Sequence, residues 1–599
     1  MSLALWLLPT TRLLIWKLAE SNHFLVERTF FEASFFTLGG PLDYLARALT
    51  TFLASGWTAM PSIALAWCLL TALMARISQI KGHWLWLNAL PGFMILALAA
   101  HMGFGIWVTQ FPHLLFQIML GMLIVLLCYW GTRSRSVAYT LVSILPLYLA
   151  CGGWAFLYAL LVMLGRTLPA TAEPPASDVP EEKPASCTRP PSDARRCRLH
   201  LLLSLLPVLL VLILPYALIR LDLLTLSPLL AYMKHVLLFK GQNWTWNLLF
   251  MFAVFSVVLI VFIRPLLPGR RWTSLLTAAC ALGLFLVVAE KNPRLGILLA
   301  MEKATKEARW RDLLSIGQET ERPHRMMASY RILALYKTDR IAHDLFKYPV
   351  QTTHQKTSVD TIKLNGPLLL YEYGLALNAR KVLMEDIVDY GYSPERLRLL
   401  GMISCVTREF EAAYTYFVKL SHQPFYRKEA ERWLRILQGD EKPPRDLEHV
   451  ASQYTAFKKA HPQIAMGPSH RLEEDIYTSY QTLKDCPPSM AVFYLMITLL
   501  EKKPNKLALN LETLKQLQKN NELPLALQEG LLFHLATTSS QDKRDQLDYA
   551  ALGITTQTLE RWNAFLSLHE KLASSPKQLQ PALCQTFGKT YWYYHIFIP

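Results

Sequence analysis

From Thr273 to Ala289 the chain reads TSLLTAACALGLFLVVA, with Arg270 and Arg271 just before it and Glu290, Lys291 and Arg294 just after. No charge interrupts the stretch, and it is close to the ~20 apolar residues that cross a bilayer. Upstream, almost everything is apolar stretch or short basic loop. Downstream come 310 residues with no further stretch of this kind. A segment so apolar needs lipid around it, whereas the charged chain after it needs water. This last stretch therefore divides the molecule into two halves that fold in different solvents.

Charge follows the same division. Overall the chain is 52% hydrophobic and 18% charged, which is apolar and charge-poor for a soluble protein. Residues 1–289 carry 20 lysines and arginines against 10 acidic residues, and residues 290–599 carry 41 against 35, so the net +16 splits into +10 and +6. A nucleic-acid binder concentrates basic charge on a soluble face. Here most of the excess lies in short loops between apolar stretches, which argues against nucleic acid as a partner and for a lipid bilayer.

Eight apolar stretches read as spans: residues 3–18, 51–73, 84–104, 113–130, 137–164, 199–219, 245–263 and 273–289. The fifth runs about 28 residues and contains Pro146 and Gly152-Gly153, so it fits either one tilted helix or a tight, broken hairpin. Loop charges arbitrate. With the N-terminus inside and the fifth stretch returning to its starting side, the inner loops hold 13 basic residues and the outer loops five. A single crossing would instead put seven inside and 11 outside. The first arrangement predicts a multi-pass protein of a bacterial inner membrane with a periplasmic C-terminal domain. Arg12 and Lys17 interrupt the first stretch and no small-residue cleavage site follows, so it is expected to stay as an anchor.

Residues 167–198 are rich in Pro, Ser and Ala and nearly free of large apolar side chains, which predicts a disordered linker. The expected organisation is a first group of spans (1–166), this linker (167–198), a second group of spans (199–289) and a helical-repeat domain (290–599). The basic run Arg195, Arg196 and Arg198 suits an anchor on anionic headgroups.

After Glu290 apolar residues recur at three- and four-residue spacing, with breaks at prolines such as Pro323, Pro349, Pro394, Pro424, Pro487 and Pro524. That predicts helix pairs. Within residues 394–427, PERLRLLGMISCVTREFEAAYTYFVKLSHQPFYR, the placement of Gly401, Ala413 and Phe417, with Pro424 one residue early, resembles the tetratricopeptide repeat. One 34-residue period earlier, Ala379 stands for Ala413 and Leu383 for Phe417, while Gly374 takes the turn position that Arg408 takes one repeat on. A weaker copy has Trp310 and Leu313 opening a second helix. The fold class expected is therefore all-α: a polytopic transmembrane domain followed by a tetratricopeptide-like α-solenoid. Such solenoids present a surface to a protein partner, here expected on residues 300–440.

Several stretches together resemble a family of Bacteroidota membrane proteins classed only as a domain of unknown function. They are FFEASFFTLGGPLDYLARALTTFLASGW from Phe30, Trp310-Arg311-Asp312, DRIAHDLFKYPVQ from Asp339, Phe425-Tyr426-Arg427-Lys428, LPLALQEGLL from Leu523 and TYWYY from Thr590. The chain has Gly-Gly-Pro where the family has Pro-Gly-Gly, and Gly530 where it has Ala. The resemblance implies a membrane-spanning N-terminal half, a repeat-type C-terminal half and an envelope location, and it carries over no catalytic residue.

The chain contains no HExxH, GxSxG, GxxxxGK[ST] or GxGxxG, and its nine cysteines form no CxxC or Cys/His spacing, so neither a metal nor a cofactor is expected. Outside the linker the first half has five acidic residues, four of them in the first outer loop: Glu20, Glu27, Glu32 and Asp43. Two readings follow. In the simpler one, FLVERTFFEASFF is an interfacial amphipathic helix, with Glu27 and Glu32 in water and Phe24, Phe30, Phe31, Phe35 and Phe36 in the acyl boundary. In the other, Glu27, Glu32 or Asp43 is the catalytic carboxylate of a glycosyltransferase-like enzyme acting on a lipid-linked substrate. His101 and His113, flanking a turn with Gln110, read as packing residues, and the ending YWYYHIFIP as a docked tail or an interface belt. A transporter is disfavoured, since no charge stands mid-span after the first stretch. The leading expectation is a membrane protein of unknown biochemical activity that acts as an envelope scaffold or assembly factor for a protein partner.

Overall fold

The computed structural model describes residues 9–101, 112–133, 135–167, 191–234, 244–263, 271–288, 293–318, 323, 325–348, 359–460, 488–518, 522–538, 547–573 and 575–598. Residues 3–8 and 168–190, Phe104, Gln110, Pro349 and Pro487, all singled out above, lie outside the described residues. The regular elements that are described are helices. The chain divides into two compact units. One comprises Met1–Lys291 together with Tyr392–Glu395 and Lys419–Glu429; the other comprises Asn292–Gly391, Arg396–Val418 and Ala430–Pro599.

The first unit contains α1 (Pro9–Ser21), α2 (Arg28–Phe35), α3 (Gly40–Thr51), α4 (Gly56–Ser78), α5 (Leu90–His101), α6 (Leu114–Thr132), α7 (Val137–Cys151), α8 (Trp154–Thr167), α9 (Pro191–Arg220), α10 (Pro228–Met233), α11 (Trp244–Phe262) and α12 (Arg271–Val288). Among the described residues three segments, Trp57–Ser78, Leu114–Thr132 and Leu203–Arg220, are long and apolar enough to cross a membrane. Local chemistry moves some boundaries. The stretch from residue 51 breaks at a 3₁₀ turn, Phe52–Ala54, because the Ser55 hydroxyl accepts the Trp57 N–H and caps a new helix there. The stretch from residue 84 opens as a 3₁₀ helix, Gly82–Ala89, with Trp84 and Asn88 buried. Residues 191–198, read by composition as unstructured, belong to the start of α9, where Pro191 holds the first position with its φ already helical.

The fifth apolar stretch is two helices. α7 ends at Gly152, whose φ of 60° and ψ of −133° only glycine adopts without strain, and α8 begins at Trp154. The Ser143 hydroxyl meets the Tyr158 hydroxyl at 2.8 Å across the pair, and Tyr158 donates to Thr132 on α6. At 15 and 14 residues each helix is about 20 Å long, short of the ~30 Å hydrocarbon layer. The pair is a hairpin pinned by its polar contacts.

The second unit is built of helix pairs: α13 (Pro293–Lys306) with α14 (Trp310–Ser315), α15 (Arg325–Lys337) with α16 (Ile341–Asp344), α17 (Val359–Glu372) with α18 (Ala376–Tyr390), α19 (Pro394–Thr407) with α20 (Phe410–Ser421), α21 (Arg427–Gln438) with α22 (Arg445–Ala460), and α23 (Pro488–Leu500) with α24 (Asn505–Ala508). One turn joins all six. Its left-handed residue is Ala308, Asp339, Gly374, Arg408, Gly439 or Lys502. The next N–H donates to the carbonyl five residues back: Arg309 to Ala304, Arg340 to Leu335, Leu375 to Leu370, Glu409 to Ser404, Asp440 to Arg435 and Lys503 to Thr498, all at 2.8–2.9 Å. Inside the fourth pair a Cβ on Gly401 would lie 2.5 Å from the Phe417 ring, so the helices touch through a missing side chain.

Beyond these pairs come α25 (Leu511–Leu517), α26 (Leu525–Thr538), α27 (Thr556–Leu572), α28 (Pro576–Phe587) and α29 (Tyr591–Phe597). α22 and α23 cover the turn end of the second and third pairs. Phe493 packs on Tyr336 and Tyr373 at 4.6 and 5.2 Å, and Gln453 donates to the Tyr336 hydroxyl. The aromatic ending is a docked helix with Tyr591, Trp592 and Tyr593 buried. The Tyr591 N–H donates to the Glu529 carboxylate at 2.7 Å, and the Trp592 indole donates to the Glu529 carbonyl at 3.0 Å.

Candidate functional site

The first loop is where chemistry-bearing side chains converge. Gly39 adopts a left-handed φ of 70°, and a Cβ on Gly40 would lie 2.2 Å from the Ser34 carbonyl oxygen, so the Gly-Gly turn admits no side chain at its second position. The turn donates its Gly39 N–H to the Leu149 carbonyl near the end of α7 and starts α3 with Pro41. That puts Asp43 in the first turn of α3, where the free N–H groups of the helix favour a carboxylate.

Asp43 is ringed by donors. Its Oδ2 accepts Arg47 Nε at 2.9 Å; its Oδ1 lies 2.8 Å from His113 Nε2 and 3.4 Å from Gln117 Nε2. Arg47 also donates to the His23 carbonyl at 3.3 Å, and Asn22 donates to the Arg47 carbonyl at 2.9 Å. His113 is buried at the N-terminal edge of α6. A carboxylate only accepts, so Nε2 carries the proton toward Asp43 and Nδ1, buried with no partner among the described residues, is left open. Lys234 reaches the same corner: its carbonyl accepts the Gly153 N–H at the tip of the α7–α8 hairpin. Burial holds the Lys234 ammonium below the usual lysine range, while Asp43 pulls it up and Arg47 pushes it down.

The three carboxylates named from sequence part company here. Glu27 pairs with His422 Nδ1 at 2.5 Å within the same unit, beside a backbone bond from Val26 to His422. Glu32 is exposed and pairs with Arg28 one turn away on α2. Asp43 alone of the three sits among buried polar partners. The amphipathic reading of this loop also needs correction. Phe24 is buried against Phe30 and Tyr44 inside the protein, whereas Phe36 is exposed. Of the two histidines, His113 joins the cluster, and the His101 side chain lies outside what the structure describes. Sequence reasoning missed Arg47, although its place one turn after Asp43 on α3 is the spacing of a helical ion pair. It also missed Gln117 and Lys234, because nothing local ties residues so far apart in the chain to Asp43.

An Asp–His pair of this kind orients a ring nitrogen for proton transfer, and two cations beside it attract an anion. Among the described residues no group of three or more His, Cys, Asp or Glu side chains is arranged to hold a metal.

A family model matches residues 193–598, more than half of the chain. The chain belongs to DUF6057, a family of unknown function. No curated protein and no solved structure matches it. Lys234 and the second unit up to residue 598 fall inside the DUF6057 match, while Asp43, Arg47, His113 and Gln117 lie before it.

Proposed function

We propose that this DUF6057 chain is a multi-pass inner-membrane protein whose second unit is a tetratricopeptide-like α-solenoid, and that it acts as an envelope scaffold or assembly factor for a protein partner. The observation that carries the reading is the repeated turn. Five of its left-handed residues, Ala308, Asp339, Gly374, Arg408 and Gly439, follow one another at 31, 35, 34 and 31 residues. Near-constant spacing of identical helix-ending turns is what a stack of helix pairs produces. The partner surface falls within residues 300–440, where Met384, Val388, Phe410 and Tyr414 leave large apolar side chains exposed and Arg380 Nη1, donating to both Glu409 carboxylate oxygens, links α18 to the start of α20.

The four-part organisation, two groups of spans around a linker and then the repeats, belongs to the same proposal, as does a periplasmic second unit. A hairpin at Gly152-Gly153 supports it, because a returning segment keeps the favoured loop-charge count. Pairing of Lys17 with Glu395 at 2.8 Å and of Glu27 with His422, all in the first unit, also supports it by joining chain from before the second stretch to chain after the last. Photo-crosslinking residues placed at Val388, Phe410 and Tyr414 in the full-length protein in its native membrane are expected to trap one discrete protein. Crosslinks to lipid alone, or to nothing at any position, would rule out the scaffold.

The Asp43–His113 pair favours one second reading, a glycosyltransferase-like enzyme for a lipid-linked substrate. Replacing Glu27, Glu32 and Asp43 together by amides separates the two: a scaffold keeps its crosslinks and cellular role, and a transferase loses its role.

A further inference from the structure

The corner between α3, α6 and the α7–α8 hairpin tip holds more positive than negative charge. Asp43 is already engaged by Arg47 and His113. Lys234 is half-buried, and its ammonium makes no hydrogen bond or ion pair among the described residues. The neighbouring stretches 102–111 and 235–243 contain no aspartate or glutamate, so the chain beside the site in sequence supplies no counter-charge. Arg47 spends Nε on Asp43 and Nη1 on the His23 carbonyl, which among the described residues leaves Nη2 without an acceptor and the buried His113 Nδ1 without a partner. A half-buried cation whose anion, Asp43, is already bound by Arg47 and His113 is unfavourable, and nitrogen positions on Lys234, Arg47 and His113 that are open among the described residues suit a small multi-oxygen anion.

We propose that Arg47, Lys234 and His113 bind a phosphoryl group, Lys234 and Arg47 by charge-assisted hydrogen bonds and His113 through Nδ1, which accepts from a protonated phosphate oxygen or donates once the ring is charged. Asp43 is a positioning residue that holds Arg47 and His113 in place. The inference stands apart from both functional readings, since a scaffold and a transferase alike can hold a phosphate at this corner.

The test uses full-length protein in a neutral detergent, with binding followed by calorimetry. Dioctanoyl phosphatidylglycerol is expected to bind at least roughly tenfold more tightly than dioctanoylglycerol, which lacks the phosphate. Lys234→Gln should remove roughly that tenfold preference, and Lys234→Arg should keep most of it. Farnesyl phosphate and inorganic phosphate tell the source: a preference for the first points to a lipid-linked carrier, competition by the second to free phosphate, and both support the site. Equal binding of the two dioctanoyl probes to the unaltered protein overturns the proposal without any variant having to fold. So does a correctly folded Lys234→Gln protein that binds every phosphate probe as the unaltered one does.

Discussion

Glu529 shows what one buried side chain does to the whole second unit. It is 2% exposed, accepts the Tyr591 N–H and lies 3.6 Å from an Arg561 guanidinium nitrogen. Burial pushes its carboxyl up to about 7, against downward pulls from the Tyr591 N–H, Arg561 and Lys347. A carboxyl whose folded value lies above its unfolded one binds more protons when folded. The unit is then most stable below the ordinary glutamate range, and it loses stability as pH rises toward 7 and beyond, by about 3 kcal/mol in all. The thermal midpoint of the detergent-solubilised protein is expected to fall between pH 5 and pH 8. In Glu529→Gln, which keeps the acceptor for Tyr591, this fall should flatten; an unchanged pH profile in that variant would contradict the assignment. Nothing in LPLALQEGLL announces such a group, because burial of Glu529 depends on where α29 docks. Gly530 beside it is equally contextual: a Cβ there would lie 2.4 Å from Leu499 Cδ2, so alanine fits only if Leu499 turns away.

At the scale of the element, the turns of the helix pairs divide into glycine and non-glycine versions of one geometry. Arg408 holds a φ of 64° with a full side chain, while Gly374 holds 82° and leaves no room, since a Cβ there would lie 2.5 Å from that of Gln453. Arg408→Gly is expected to raise the thermal midpoint by relieving up to about 1 kcal/mol of left-handed strain. Gly374→Ala should lower it, by about 2 kcal/mol or more, because strain and collision add. Shifts of the same sign in both variants would mean the turns are not equivalent. That equivalence was legible in the 34-residue spacing of Gly374 and Arg408. The matching turns at Asp339, Gly439 and Lys502 were not, because aspartate, glycine and lysine share no side-chain signature and only the helix-end hydrogen bond unites them. The α7–α8 hairpin belongs to this scale too: Gly152-Gly153 permitted a break, and the contacts of Tyr158 with Ser143 and Thr132 made it a hairpin.

For the whole molecule, sidedness is the property with most consequence. If the α7–α8 hairpin returns to its starting side, alkaline phosphatase fused near residue 180 is expected to be inactive, and fusions near residue 222 and at the C-terminus active. An inactive C-terminal fusion beside an active one near residue 180 would reverse the topology and remove the periplasmic partner.

Chain chemistry alone determined that the regular elements among the described residues are helices, that the chain carries segments apolar enough to sit in lipid, and that the turns at Gly374 and Arg408 are equivalent. These are local matters of hydrophobic run length and spacing, with prolines and glycines as punctuation. Only the tertiary structure decided that Asp43 rather than Glu27 or Glu32 sits among buried polar partners, that His113 and Lys234 share its corner, and that Glu529 is sealed beneath the final helix. Those outcomes depend on how helices rotate and pack against partners tens to hundreds of residues away, and no short window of sequence encodes that rotation.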